Sequence, residues 1–132
     1  MILRGSKYVE NTKKQRLEHL KQAIQIARNS IEPILVRYRS QQVGIFETLN
    51  QVRNLVRRMT YNDHAGNNYI FMSAYDGIML VQPFEPEKEM TDMWDLKDSN
   101  GVHIIRALVK IAKSERGYGY ISYHYKRPGT TT

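Results

Sequence analysis

The sequence predicts an α+β fold, with helices in the first half of the chain and an antiparallel sheet in the second. Apolar residues in the first 60 positions recur every three or four residues, which is the period of an amphipathic helix. An Asp-Gly pair then separates two short apolar stretches, as in a β-hairpin. A hairpin combined with helices favours an α+β arrangement over a parallel α/β sheet.

Two helices are expected before residue 60. The apolar stripe of the first helix consists of Leu17, Leu20, Ile24, Ala27, Ile31, Leu35 and Tyr38. Pro33 lies inside this stripe, and because proline removes a backbone donor and crowds the preceding turn, a kink is expected over residues 29–32. The stripe of the second helix consists of Ile45, Leu49, Val52, Val56 and Met59, and residues 40–44 form the expected connection.

The sheet is expected to begin after a polar turn formed by Gly66-Asn67-Asn68. Residues 69–74 then predict a strand, and residues 78–81 predict its partner. Asp76-Gly77 between them is a strong turn signal, because the turn needs positive φ angles that glycine and aspartate tolerate. Pro83 cannot donate a hydrogen bond to a strand ladder and should end the second strand.

The remaining elements are a loop, a helix and a final strand. The acidic residues 85–89 predict a surface loop. A helix is expected over about residues 102–113, with Ser99 or Asn100 as its N-cap. The tyrosine-rich residues 118–125 predict the last strand.

Composition limits the functional classes. A chain of 132 residues is long enough for one core, and the absence of cysteine excludes disulfides and thiolate chemistry. The net charge of +7 lies entirely in the first half, where residues 1–60 hold 12 Lys and Arg against 4 Asp and Glu. We therefore expect a single domain over residues 1–132, with a basic helical stalk over 1–60 and a sheet and pocket over 66–126.

Several short motifs follow one another in a fixed order between residues 56 and 129. They are Arg57, Arg58 and Tyr61, then Tyr69-Ile70-Phe71, Asp76-Gly77, Gln82-Pro83, Leu96-Lys97-Asp98 with Gly101, Gly119 with Tyr123, and Lys126-Arg127-Pro128. This order resembles the single Cache domain, the extracytoplasmic ligand-sensing module of bacterial chemoreceptors, histidine kinases and cyclic-di-nucleotide enzymes. The chain departs from the family pattern at Gln82, where histidine is usual, and at Met93, where many members have glycine.

The resemblance implies a PAS-like antiparallel sheet with a long N-terminal helix packed across it. It also implies a periplasmic sensor domain of an inner-membrane receptor, such as a methyl-accepting chemotaxis protein, with membrane helices and a cytoplasmic output domain elsewhere in the receptor. The implied ligand is a small carboxylate such as acetate, propionate, pyruvate or lactate. No enzymatic activity, cofactor, metal ion or nucleic acid is expected.

Candidate ligand-binding residues include two cations and an amide. The Lys97 ammonium suits a small carboxylate, although spacing alone favours a solvated lysine beside Asp95 or Asp98. Either Arg58 or its neighbour Arg57 suits a bidentate carboxylate contact, although cations are also common at helix C-termini. Gln82 can donate and accept hydrogen bonds to a ligand or to loop backbone.

The other candidate ligand-binding residues are aromatic. Tyr69, Phe71, Tyr118 and Tyr120 suit the wall of a pocket for a small polar acid, while spacing alone favours core packing and cross-strand pairing. Trp94 suits a lid over the pocket, and a packing role is equally compatible with its position.

Several alternatives remain open at this point. The N-terminal stripe predicts a parallel homodimer, or packing of the same face on its own sheet. A basic nucleic-acid-binding domain would use the helical half and exposed tyrosines. A Cache-like structural module without ligand is a further alternative.

Overall fold

The computed structural model describes residues 10–63 and 66–125. Helix α1, Glu10–Arg39, and helix α2, Ile45–Arg57, form the predicted helical half. Helix α1 continues through Pro33, and the kink over residues 29–32 stays a prediction. Its predicted stripe packs into the chain's own core from Leu17 to Leu35, with Leu20 and Ala27 buried, whereas Tyr38 at the end of the stripe is exposed.

A hairpin of strands β1, Thr60–Asp63, and β2, Gly66–Tyr69, follows α2. The strands are antiparallel, with Thr60 opposite Tyr69 and Tyr61 opposite Asn68. The prediction of a turn at 66–68 is therefore wrong. Asparagine is a poor strand former, but the buried Asn68 side chain accepts a 3.0 Å hydrogen bond from the Tyr69 N–H, which secures it inside the strand.

A second antiparallel pair contains strands β3, Met72–Ser73, and β4, Met79–Val81. The predicted Asp76-Gly77 turn between them is confirmed. Asp76 Oδ1 accepts a 3.0 Å hydrogen bond from the Ile78 N–H, and Gly77 has φ +98°. The predicted strand over 69–74 is divided, because Ile70 and Phe71 leave both ladders and enter the core.

Residues 90–93 run along the other side of β4. The Met79 N–H donates to the Thr91 carbonyl at 3.0 Å, and the Met93 N–H donates to the Gly77 carbonyl at 2.9 Å. An antiparallel bridge joins Ile78 and Asp92. Strand β4 is thus paired on both sides.

Helix α3, Ile104–Ala112, supplies the other side of the core. Its Ile105 is 1% exposed and packs in the same cluster as Val81 of β4, which is fully buried. Burial of side chains of this size stabilises the fold by about 1.5–3 kcal/mol each. The predicted N-caps Ser99 and Asn100 are wrong, because the helix begins four residues after Asn100, with His103 in the cap position.

The predicted strand over 118–125 is also wrong, since this segment forms no ladder with any of the residues 10–63 and 66–125. We call residues 118–125 the C-terminal segment. It is held by side-chain contacts, the first of which is a 3.0 Å hydrogen bond from the Tyr120 hydroxyl to the Leu17 carbonyl of α1. The motif residues Lys126-Arg127-Pro128 lie outside the described residues.

Candidate functional site

Gln82 follows β4 directly and is, with Phe71, the most buried of the predicted ligand-binding residues, each being 4% exposed. Met72 lies opposite Val81, so Phe71 and Gln82 flank the same cross-strand pair. The Gln82 Oε1 atom is buried and has no hydrogen-bond partner among the residues that the structure describes. Because an unpaired buried amide oxygen is costly, this atom is suited to accept a hydrogen bond from a ligand or an ordered water.

Tyr69 is half-buried beside this position. Its ring centroid lies 5.4 Å from that of Phe84 in an edge-to-face contact, and 6.4 Å from that of Phe71. Phe84 is two residues beyond Gln82, so these contacts bring Tyr69, Phe71 and the Gln82 segment together. Tyr69 and Phe71 are therefore neighbours in the structure, and Gln82 lies two residues along the chain from Phe84, the other ring that Tyr69 contacts.

Two arginines of α2 hold a glutamate next to Gln82. Glu89 Oε1 accepts hydrogen bonds from Arg53 Nη2 at 3.0 Å and from Arg57 Nη2 at 2.7 Å. Glu89 Oε2 accepts from the Gln82 N–H at 3.0 Å and from Arg57 Nε at 3.3 Å. Arg53 Nε also donates to the Leu80 carbonyl at 2.9 Å, which anchors the arginine to β4. We call Glu89, Arg53 and Arg57 the arginine clamp.

The arginine clamp carries a net charge of +1, because two guanidinium groups surround one carboxylate. Burial raises the pKa of the Glu89 carboxyl, but hydrogen bonds from Arg57, the Gln82 N–H and Arg53 outweigh it and lower the pKa below its ordinary value. Glu89 is therefore ionised at neutral pH. The excess positive charge beside Gln82 favours an anionic ligand over a cationic one.

The acidic segment 85–89 is more than the surface loop that its composition predicts. Glu85 is buried, and the Glu89 side chain is only 8% exposed. The Tyr125 hydroxyl donates a 2.6 Å hydrogen bond to Glu85 Oε2 and accepts one of 2.9 Å from Lys88 Nζ. Burial and the Glu85 carboxylate raise the pKa of the Tyr125 hydroxyl. This segment therefore contacts the C-terminal segment through Tyr125.

Trp94 is half-buried beside the Asp76-Gly77 turn, and its role as a lid stays a prediction. A Cβ atom on Gly77 would lie 2.8 Å from Trp94 Cβ, so the turn and the tryptophan are in close contact. The Arg106 guanidinium lies 5.6 Å from the indole centroid, and its Nε donates to the Trp94 carbonyl at 3.2 Å. An ion pair between Arg106 and Asp95 completes the contact.

The two predicted cations, Lys97 and Arg58, are both exposed. Lys97 forms an isolated antiparallel bridge with His103, before α3. Arg58 caps the C-terminus of α2, and it is the neighbouring Arg57 that enters the arginine clamp. Their ligand-binding roles stay predictions, and neither side chain is buried beside Gln82.

The Asp98 carboxylate fixes the backbone conformation of the residues that follow Lys97. Its Oδ1 accepts hydrogen bonds from the N–H groups of Asn100 and Val102, both at 2.9 Å. Its Oδ2 accepts from the His124 N–H at 2.9 Å, and Gly101 adopts φ +81°. The Leu-Lys-Asp-x-x-Gly motif therefore forms a closed turn, and its aspartate also holds the C-terminal segment.

Tyr118 and Tyr120 both contact α1. The Tyr118 ring is contacted by Lys21 Nζ at 5.4 Å and by the Arg116 guanidinium at 4.6 Å. Tyr120 is the residue bonded to the Leu17 carbonyl. These tyrosines attach the C-terminal segment to α1.

Two further features are not evident from the sequence. Arg16 is only 6% exposed, so the basic face of α1 is not wholly solvated. The left-handed backbone conformation that favours glycine lies at Met90, with φ +64°, rather than at Met93. An exposed methionine has no local sequence signal for such a conformation.

The described residues contain no group of three or more His, Cys, Asp or Glu side chains arranged to hold a metal ion. No helix within residues 10–63 and 66–125 is long and apolar enough to cross a membrane.

The model of the family Single Cache domain 2 matches residues 12–132. Three solved structures share the fold. A periplasmic sensor domain of a chemotaxis protein has 19% identity and a TM-score of 0.79, over 89% of this chain and 79% of that one. A methyl-accepting chemotaxis protein from Vibrio parahaemolyticus has 20% identity and a TM-score of 0.73, over 90% and 74%.

The third structure is a Cache chemosensory domain solved for the structural basis of its carboxylic acid recognition. It has 19% identity and a TM-score of 0.83, and the similarity covers 96% of this chain and 83% of that one. At these identities the structures support the fold, while the family match covers most of the sequence. With its long N-terminal helix and small antiparallel sheets, this chain belongs to the Single Cache domain 2 family.

Proposed function

We propose that this Cache domain is the periplasmic sensor of a bacterial inner-membrane receptor and binds a small carboxylate at a site that includes Gln82. The observation that carries the proposal is the buried Gln82 Oε1, which lacks a partner among the described residues and lies beside a cluster of net positive charge. The Cache chemosensory domain with the same fold and a described basis for carboxylic acid recognition favours this ligand class.

The site offers complementary groups to such an acid. The positive field of the arginine clamp attracts a carboxylate, and Tyr69 and Phe71 offer apolar surface for a short carbon chain. The Gln82 Oε1 accepts a hydrogen bond from a hydroxyl group, as in lactate, or from a water that bridges to the acid. Lys97 is proposed as a second, exposed cation for the carboxylate.

The direction of the chain supports insertion between two membrane helices. Tyr118 contacts Lys21, and Tyr120 contacts Leu17 one helical turn earlier. The C-terminal segment thus runs antiparallel to α1, toward the pole at which α1 begins. The stalk over residues 1–60 and the pocket-bearing sheet over 66–126 would then connect to the membrane helices at the same end of the domain. Ligand-dependent changes would pass to those helices and to the cytoplasmic output domain through α1 or the C-terminal segment.

A parallel homodimer through α1 is part of the proposal. The buried face of α1 packs on its own chain, so a partner would use the opposite face, where Ile26 is 66% exposed and Val36 is also exposed. Sedimentation over a concentration series should show self-association that weakens in the Ile26→Asp variant. A sedimentation coefficient that stays monomeric at all concentrations would exclude the dimer for this domain.

Thermal unfolding with acetate, propionate, pyruvate and lactate tests the ligand class. A ligand at ten times its Kd stabilises the folded state by about 1.4 kcal/mol, which corresponds to a rise in Tm of about 5 °C for a domain of this size. Sodium chloride at equal concentration is the control for ionic strength.

Three variants locate the site. Gln82→Leu should fold, because it removes a buried acceptor that lacks a partner within the described residues, and should lose the ligand-dependent rise in Tm. Lys97→Ala should reduce the rise, while Lys13→Ala, an exposed lysine of α1, should leave it unchanged. No rise with any acid in the wild-type protein would refute the carboxylate proposal and favour a structural module.

A further inference from the structure

The segment Glu85–Glu89, which we call the 85–89 turn, touches two distant parts of the molecule. Its last residue is held by α2, where Arg53 and Arg57 donate to the Glu89 carboxylate at 3.0 and 2.7 Å. Its Glu85 and Lys88 hold the C-terminal segment through the Tyr125 hydroxyl, at 2.6 and 2.9 Å. The turn therefore bridges α2 and the C-terminal segment.

The 85–89 turn is also internally constrained. The Lys88 N–H donates to the Glu85 carbonyl at 2.9 Å, and Lys88 Nζ lies 3.0 Å from Glu85 Oε1. The Glu89 N–H donates to the Pro86 carbonyl at 3.1 Å. Because these bonds connect the residue held by α2 with the residues that hold Tyr125, a displacement at one end requires a displacement at the other.

Gln82 is bonded to both ends of this turn. Its N–H donates to Glu89 Oε2 at 3.0 Å, and its carbonyl accepts from the Glu85 N–H at 3.2 Å. A ligand that reorients the Gln82 amide therefore acts on the main chain that positions Glu85 and Glu89. The bonds to the Glu89 carboxylate are charge-assisted and partly buried, which makes them directional.

We propose that the 85–89 turn couples the Gln82 site to the C-terminal segment, with Glu89 as the positioning residue and the Tyr125 hydroxyl as the point of output. The identity of the input rests on the proposed carboxylate binding. The mechanical link between Glu89 and Tyr125 rests only on the contacts described here, so it can be tested without any ligand.

The first test labels the nine tyrosines with ¹³C at the ring carbon that bears the hydroxyl and follows them by NMR. The Tyr125→Phe variant assigns the Tyr125 signal. Glu89→Gln removes the charge that the arginine clamp holds and should shift the Tyr125 signal, although Glu89 and Tyr125 share no contact in the structure. Glu32→Gln is the matched control, because it breaks the exposed pair with Arg39 on α1 and should leave Tyr125 unchanged.

An unchanged Tyr125 signal in Glu89→Gln would overturn the coupling. If Glu89→Gln does not fold, Arg57→Lys replaces it, since lysine keeps the charge but loses the two-atom contact with the carboxylate. The same shift of Tyr125 is then expected, and its absence overturns the proposal equally.

The second test adds sodium propionate to the labelled wild-type protein and to Glu89→Gln. Binding detected by thermal unfolding, together with a Tyr125 shift that is lost in Glu89→Gln, supports the coupling. Binding without any shift of Tyr125 overturns it. If none of acetate, propionate, pyruvate and lactate binds in thermal unfolding, the carboxylate proposal fails. The variant test alone then decides whether the 85–89 turn couples the Gln82 site to the C-terminal segment.

Discussion

The contact between Gly77 and Trp94 gives a prediction whose size follows from the geometry. Gly77 has φ +98°, in the left-handed region that favours glycine. A Cβ atom at this position would also lie 2.8 Å from Trp94 Cβ and 3.0 Å from Trp94 Cα and N. These are backbone and near-backbone atoms, so a side-chain rotation cannot relieve the clash.

Gly77→Ala should therefore carry two penalties. The left-handed conformation costs about 1–2 kcal/mol for a residue with a Cβ atom. Displacement of Trp94 and the residues 90–93 beside it adds about 1–3 kcal/mol, as for overpacking in a core. We expect the free energy of unfolding to fall by about 2–5 kcal/mol. Gly101→Ala is the matched control, because Gly101 has φ +81° but a Cβ atom there would meet no other atom within 4 Å, and this variant should lose only about 1–2 kcal/mol.

Urea unfolding followed by circular dichroism measures both losses. The fluorescence of Trp94, the single tryptophan, reports its displacement in the folded state. Emission should change in Gly77→Ala and stay as in the wild-type protein in Gly101→Ala. Equal losses of stability in the two variants, with unchanged emission in both, would refute the packing of Trp94 on the turn.

Two further predictions concern stability. Met90→Gly should raise the free energy of unfolding by about 1 kcal/mol in urea titrations, because Met90 is 53% exposed and adopts φ +64°. A lower free energy of unfolding would contradict backbone strain at this position. The pKa of Asp98 is held below its ordinary value of 3.8, mainly by the His124 N–H bond. The ionised Asp98 carboxylate therefore contributes its full stabilisation when the pH is above 3.8, and this contribution is lost as the pH falls through the lowered pKa of the folded state. In Asp98→Asn the side-chain NH₂ would face the His124 N–H, so this variant should be less stable than the wild-type protein at pH 7. Urea midpoints measured from pH 7 to 2.5 should also fall less steeply below about pH 4 in the variant. The same pH profile in both proteins would contradict the hydrogen bonds of the Asp98 turn.

The elements that the sequence predicts well are those with a local signal. The four- and three-residue steps from Leu20 to Ile24 and from Ile24 to Ala27 predict α1, and the Asp76-Gly77 pair predicts the β3–β4 turn. In both cases the residues that determine the conformation lie within a few positions of one another. The order of the motifs between residues 56 and 129 correctly indicates the Cache family.

The features that sequence reasoning missed depend on partners far along the chain. Glu89 looks like a surface residue in an acidic loop, and only the fold brings it to Arg53 and Arg57, more than 30 positions earlier. The C-terminal segment has the composition of a strand, but Tyr120 and Tyr125 bind α1 and the 85–89 turn through their hydroxyl groups instead of entering a ladder. No local pattern distinguishes these outcomes.

The proposed site, at which a small carboxylate binds beside the buried Gln82 amide, can be tested without any variant that alters the fold. The most direct measurement is an ¹⁵N NMR titration of the folded domain with acetate, propionate, pyruvate and lactate, in which the Gln82 side-chain amide signals are assigned with Gln82→Leu. At least one acid should shift these signals and those of the neighbouring backbone amides of the 85–89 turn in a saturable way. Saturable shifts confined to other regions, or no shift with any of the acids at constant ionic strength, would contradict it.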